Sequence, residues 1–157
     1  VIDQAVEAFS AFRTQEGKGL QAFFMQKIDN IRALLAQVPQ YETARIDKIR
    51  ARLEENLRAL DDKITYDANR LEQELIFYIE KLDISEEKQR LNNHLNYFVE
   101  TMDKDPMAGK KLGFIAQEMG REINTLGSKS NQSEMQIIVV QMKDILEQIK
   151  EQVLNVL

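Results

Sequence analysis

Cysteine and tryptophan are missing from this 157-residue chain, and histidine occurs once and proline twice. Without cysteine there is no disulfide framework, no thiolate metal site and no cysteine nucleophile, a composition that fits a reducing cytoplasm. A single histidine, His94, rules out any site that pairs two imidazoles as acid and base within one chain. Long apolar runs are lacking too. Stretches such as IIVV at 137–140 stay far short of the roughly 20 residues needed to cross a bilayer, so a soluble protein without a membrane role is expected. Basic charge is not in excess either. The net charge of −5 means that any contact with a polyanion such as a nucleic acid needs a local basic surface or an oligomer that concentrates one.

What the chain does have is 43% hydrophobic and 30% charged residues, a balance suited to amphipathic helices rather than disorder. Ile2, Val6, Phe9 and Phe12 recur at helical spacing until Gly17 and Gly19, which read as an interruption. Leu20, Phe24, Ile28, Ile31, Leu35 and Val38 form the next stripe, expected to end at Pro39 because proline disfavours helical geometry in the residue before it. Ile46, Ile49, Leu53, Leu57 and Leu60 follow. These last two stripes predict an antiparallel hairpin, giving a hairpin region over 1–66.

From 67 to 157 a C-terminal helical domain is expected. Asp67 is a candidate N-cap for a helix through Leu71, Leu75, Tyr78 and Leu82. Ser85, with acidic residues after it, starts another through Leu91, Leu95, Phe98 and Met102. Aspartates and a proline make 103–107 a loop. Ser133 and Gln136 match a capping box opening a long terminal helix with Met135, Ile138, Met142, Ile145, Ile149, Val153 and Val156 on one stripe. The fold class is therefore all-α: long amphipathic helices in antiparallel hairpins with coiled-coil-like packing. The terminal stripe is longer than one short neighbour covers, so burial against copies of the chain in a homo-oligomer is expected.

The stretch GKKLGFIAQEMGREINTLGSKSN, 109–131, is helical in pattern yet carries four glycines, each costing roughly 1 kcal/mol against alanine inside a helix. Leu112, Ile115, Met119, Ile123 and Leu126 make its core arc. Lys111, Glu118, Arg121, Glu122 and Thr125 make a solvated one. Gly109, Gly113, Gly120 and Gly127 fall on a third face, where close approach of a helix or of a ligand explains them, and Gly127 reads as a C-cap.

This run, preceded by RLEQELIFYIEKLDISEEKQRLNNHLNYF and followed by IKEQVLNV, resembles the C-terminal half of the YicC-like family of bacterial proteins. Arg13, Glu16, Gly17 and Leu20 match a further family element, Arg-x-x-Glu-Gly-x-x-Leu. The resemblance implies an endoribonuclease of the bacterial cytoplasm that assembles as an oligomer, a hexamer in the intact protein, with an additional N-terminal domain that this chain lacks. At Gly113 and Gly120 the family usually has an acidic residue and an asparagine, which favours packing over catalysis for these glycines.

RNA is cut by its own 2′-hydroxyl with acid and base help, or by water activated on a divalent metal. Glu118 and Glu122, at i and i+4, put two carboxylates on one helical face and are the candidate catalytic residues and ligands for magnesium or manganese, unless they are ordinary surface salt-bridge partners. Glu72 and Glu74 lie on different faces and are secondary candidates. Arg121, Ser128, Lys129 and Ser130 are the candidate RNA contacts: an arginine fork and hydroxyl donors suit phosphate oxygens. RNA is thus expected to meet residues 117–131. The competing reading is a non-catalytic helical oligomerisation scaffold, with the RNA-binding or catalytic surface mainly in the N-terminal domain.

Overall fold

The computed structural model describes residues 1–59, 68–105, 107–130 and 132–156, leaving aside the side chains at 12–14 and 68. Five helices account for nearly all of them: α1 (Ile2–Ala59), α2 (Ala68–Lys81), α3 (Ser85–Lys104), α4 (Gly109–Lys129) and α5 (Ser133–Val153). The division expected between 66 and 67, and the Asp67 cap, lie outside the described residues.

Helix α1 differs most from expectation. It runs unbroken through Gly17, Gly19 and Pro39, about 87 Å at 1.5 Å per residue. Glycine weakens a helix without sterically ending it. Proline removes a donor and crowds the carbonyl four residues back, but Pro39 is exposed, and on a solvent face that carbonyl can turn outward to water. Both sides are also held. Val38 is buried in the core, and beyond the proline Glu42 pairs with Lys88 while Arg45 donates to the Leu82 carbonyl. The hairpin expected between the 20–38 and 46–60 stripes is therefore absent, because both belong to one helix as far as Ala59, Leu60 lying outside the described residues. The second stripe pairs with α2 instead: Leu71 and Leu75 are buried, and Arg50 reaches Glu72 at 2.8 Å.

The core is an antiparallel four-helix bundle of α1, α3, α4 and α5. Phe24 meets Phe98 edge to face, Arg32 donates to Asn96 and Lys88 to Glu42, so α1 and α3 run in opposite directions. Leu91, Leu95, Phe98 and Met102 are buried, as are Leu112, Ile115, Met119, Ile123 and Leu126. Helix α5 buries Met135, Ile138, Met142, Ile149 and Val153 against α4 and α1. Its stripe is covered within the chain, so it does not supply the surface expected for contact with copies.

The α4 glycines explain themselves here. A Cβ on Gly113 would lie 3.5 Å from Val153 Cγ1, on Gly120 3.2 Å from Leu146 Cδ2, and on Gly127 3.1 Å from Val139 Cγ1. Positions rise by seven on α4 as they fall by seven on α5, the spacing of a shallow antiparallel coiled-coil seam. Gly127 is thus a packing residue inside the helix, and the C-cap reading gives way: α4 continues to Lys129. The capping box does not form either. The helix starts at Ser133 with no side-chain cap, Ser133 Oγ turns to Glu134, and the Gln136 amide reaches back to the carbonyls of Gly127 and Ser130.

Candidate functional site

One end of the bundle, where α1 and α2 leave it as a two-helix arm, gathers most of the candidate residues. The α2–α3 connection and the α4–α5 turn meet there. Asp83 precedes α3 and accepts from the Ser85 hydroxyl at 2.7 Å and backbone N–H at 3.0 Å. Those two bonds, aided by Lys129, hold its carboxyl below the ordinary range despite some burial.

Two carboxylates of this region are buried, Glu87 and Glu122. Glu122 was expected on the solvated arc with Glu118. Because α4 packs against α3 as well as α5, a second arc is covered, and Glu122 lies in it. Its Oε1 accepts from Arg90 Nε at 3.1 Å. The same guanidinium reaches Glu86 at 3.1 Å and Glu87 at 3.5 Å. Glu87 Oε1 also accepts from Lys129 Nζ at 2.8 Å, which in addition donates to the Asp83 carbonyl at 3.1 Å. Burial pushes the Glu87 carboxyl up, but the Lys129 bond, its backbone N–H and Arg90 together outweigh this and leave it below its ordinary value. Its other oxygen, Oε2, is buried without a hydrogen-bond partner among the described residues.

Arg45 closes the junction from α1. Half-buried, it donates to the Leu82 carbonyl and to Ser130 Oγ at 3.3 Å. Desolvation lowers the pKa of its guanidinium, with Glu42 and Asp83 opposing.

The candidates therefore separate. Lys129 and Ser130 are engaged inside the fold, Ser130 being fully buried. Arg121 stays 73% exposed and pairs only loosely with Glu118, at 3.5 Å. Ser128 is exposed, donating to the Thr125 carbonyl. Glu118, Arg121, Thr125 and Ser128, spaced by three and four, form one ridge of α4 on which Arg121 and Ser128 are exposed and Glu118 and Thr125 half-buried. Glu72 and Glu74 are exposed on the arm, Glu72 paired with Arg50, and Glu74 beside Arg70 and Phe77. His94 is half-buried on α3. Among the described residues no three histidine or acidic side chains stand close enough to hold a metal ion, and no helix is long and apolar enough to cross a membrane.

Sequence reading missed Glu87, Arg90 and Arg45. The only local signal was the i, i+3 spacing of Glu87 and Arg90, common on any solvated helix.

Residues 38–157 match the family model described as endoribonuclease YicC-like, C-terminal. The chain is 36% identical to a probable endoribonuclease YicC of Clostridioides difficile, over 99% of this chain and 55% of the relative. It is 33% identical to the protein of that name from Haemophilus influenzae, over 98% and 53%. The chain thus spans about half the length of these curated relatives. With 38–157 taking in the arm, the ion network and the glycine seam alike, the chain belongs to the endoribonuclease YicC-like family and carries its C-terminal part.

Proposed function

We propose that the full protein is an endoribonuclease cleaving RNA phosphodiester bonds, working as a homo-oligomer, up to the hexamer that the resemblance implies, in the cytoplasm. The names of relatives that match nearly the whole chain support the reaction class. The observation that carries this chain's part in it is the ridge of half-buried Glu118 and exposed Arg121 and Ser128 on α4. Arg121 binds a phosphate through its fork. Glu118 takes the proton of the 2′-hydroxyl as that oxygen attacks phosphorus, and the departing 5′-oxygen takes a proton from water.

The finer version puts a magnesium or manganese ion on Glu118 and Glu122. When bound, such an ion would neutralise phosphate charge and activate water. As placed, the pair does not fit a cation, because Glu122 is buried and gives its Oε1 to Arg90. A cation would have to compete with that guanidinium for the carboxylate and draw its remaining ligands from water and phosphate. The scaffold reading keeps one observation in its favour: Lys129 and Ser130, two of the four expected RNA contacts, are occupied within the fold.

Cleavage of labelled RNA by the full-length protein, by this chain alone, and by full-length Glu118→Gln tests the proposal, each with and without chelator. Cutting by the full-length protein that falls in Glu118→Gln with helicity and assembly unchanged is the expected result. Undiminished cutting in Glu118→Gln removes the ridge from the chemistry and favours the scaffold. Full activity in excess chelator removes the metal.

A further inference from the structure

Helix α1 leaves the bundle at the end opposite the arm. From Ile2 to Gly19, about 27 Å of helix, every residue whose burial is described is exposed. Ile2 is 80% exposed, Val6 58% and Phe9 61%, and their spacing continues the same face that buries Phe24, Ile28 and Ile31 farther along. At its base lies an open groove of about 1080 Å³ lined by Gly17, Gly19, Leu20, Phe23, Met102 and Val156, among others.

The glycines of this stretch differ from those of α4. On α4, Gly109, Gly113, Gly120 and Gly127 each have a neighbour of this chain against the position of a Cβ. Gly17 and Gly19 have nothing within 4 Å. Glycine is disfavoured inside helices, and no described contact within the chain requires it here; Gly17 falls on the face of Ile2, Val6 and Phe24, where the room it leaves suits a surface that this chain does not itself provide, whereas Gly19, about 200° around the helix, lies off that face.

We propose that this α1 face and groove are the seat of the polypeptide that precedes Val1 in a protein of its relatives' length. Those relatives extend well beyond the match, which covers 55% and 53% of them, and the matched family model is the C-terminal one. The remainder therefore lies mainly upstream, entering at the exposed end of the stripe. Covalent attachment gives it a high effective concentration at this face, which a second copy lacks at low concentration. Its contact surface is apolar, closing on Ile2, Val6 and Leu20, with backbone or a bulky side chain against Gly17.

Amide hydrogen exchange over 2–20 tests this without reference to nuclease activity, in the full-length protein and in the 157-residue chain, each over a wide range of concentration. In the full-length protein these amides exchange about tenfold or more slowly than in the shorter chain, at a rate that dilution leaves unchanged. Val6→Asp and Gly17→Leu in the full-length protein restore the faster rate, while amides of 112–126 keep theirs. Equal exchange in the two wild-type proteins overturns the proposal even if the variants fail to fold. So does protection in the shorter chain that rises with its concentration, which makes a second copy the occupant.

Discussion

Lys129 separates a structural from an RNA-binding reading of the α4 terminus. Its ammonium lies 2.8 Å from Oε1 of Glu87, whose side chain is 5% exposed, while Lys129 itself is 32% exposed. Removing one partner of a fully buried pair costs about 3–5 kcal/mol because the other charge is stranded. Here the loss is smaller: water reaches Lys129, and Arg90 remains 3.5 Å from the carboxylate. We expect Lys129→Met, which keeps the apolar stem, to destabilise by about 1–3 kcal/mol, lowering the melting temperature by roughly 5 °C. Urea unfolding of Lys129→Met, Glu87→Gln and the double variant isolates the pair, with an expected coupling of about 1–2 kcal/mol. The pH dependence has a definite sign. Since the folded Glu87 carboxyl lies below its ordinary value of 4.5, its contribution is present above the unfolded value and is lost as pH falls through the folded one. The gap between wild type and Lys129→Met therefore narrows in acid. A coupling below about 0.3 kcal/mol, or a gap independent of pH, refutes the reasoning and frees Lys129 for phosphate.

Arg121, exposed and loosely paired, predicts the reverse: Arg121→Ala changes stability by less than about 0.5 kcal/mol but makes the slope of log RNA affinity against log salt shallower by roughly 0.7. Binding at several salt concentrations checks this, and an unchanged slope removes Arg121 from the interface. Among the glycines, Gly109→Ala would put a Cβ 2.5 Å from the Val156 carbonyl oxygen and should destabilise by about 1–3 kcal/mol. Gly17→Ala meets open space in this chain and should stabilise α1 by up to about 1 kcal/mol; urea midpoints of the two variants moving in the same direction would contradict the packing described.

The stripes of α3, α4 and α5 were legible because apolar residues at three-four spacing report the deepest face of a helix whatever its neighbours are. The continuity of α1 was less so. Gly17, Gly19 and Pro39 lower local helix preference, and a window around them cannot weigh the buried Val38 on one side or the Lys88 and Leu82 contacts on the other. Glu118 and Glu122 show the same limit within the candidate site. They are one residue type, one turn apart, with no local feature to distinguish them. Yet a helix with two neighbours buries two arcs, and Glu122 falls in the one facing α3, where Arg90 meets it across 32 positions of sequence. Glu118 stays on the rim with Arg121. Spacing alone therefore finds the face that could carry chemistry, while the partner helix decides which carboxylate on it remains available. That division gives Glu118→Gln and Glu122→Gln different meanings: the first removes a half-buried acid at the rim, and the second also takes from Arg90 one of its two buried counter-charges, Glu87 being the other. Loss of activity in Glu122→Gln therefore counts toward catalysis only if urea unfolding shows the α3–α4 contact intact.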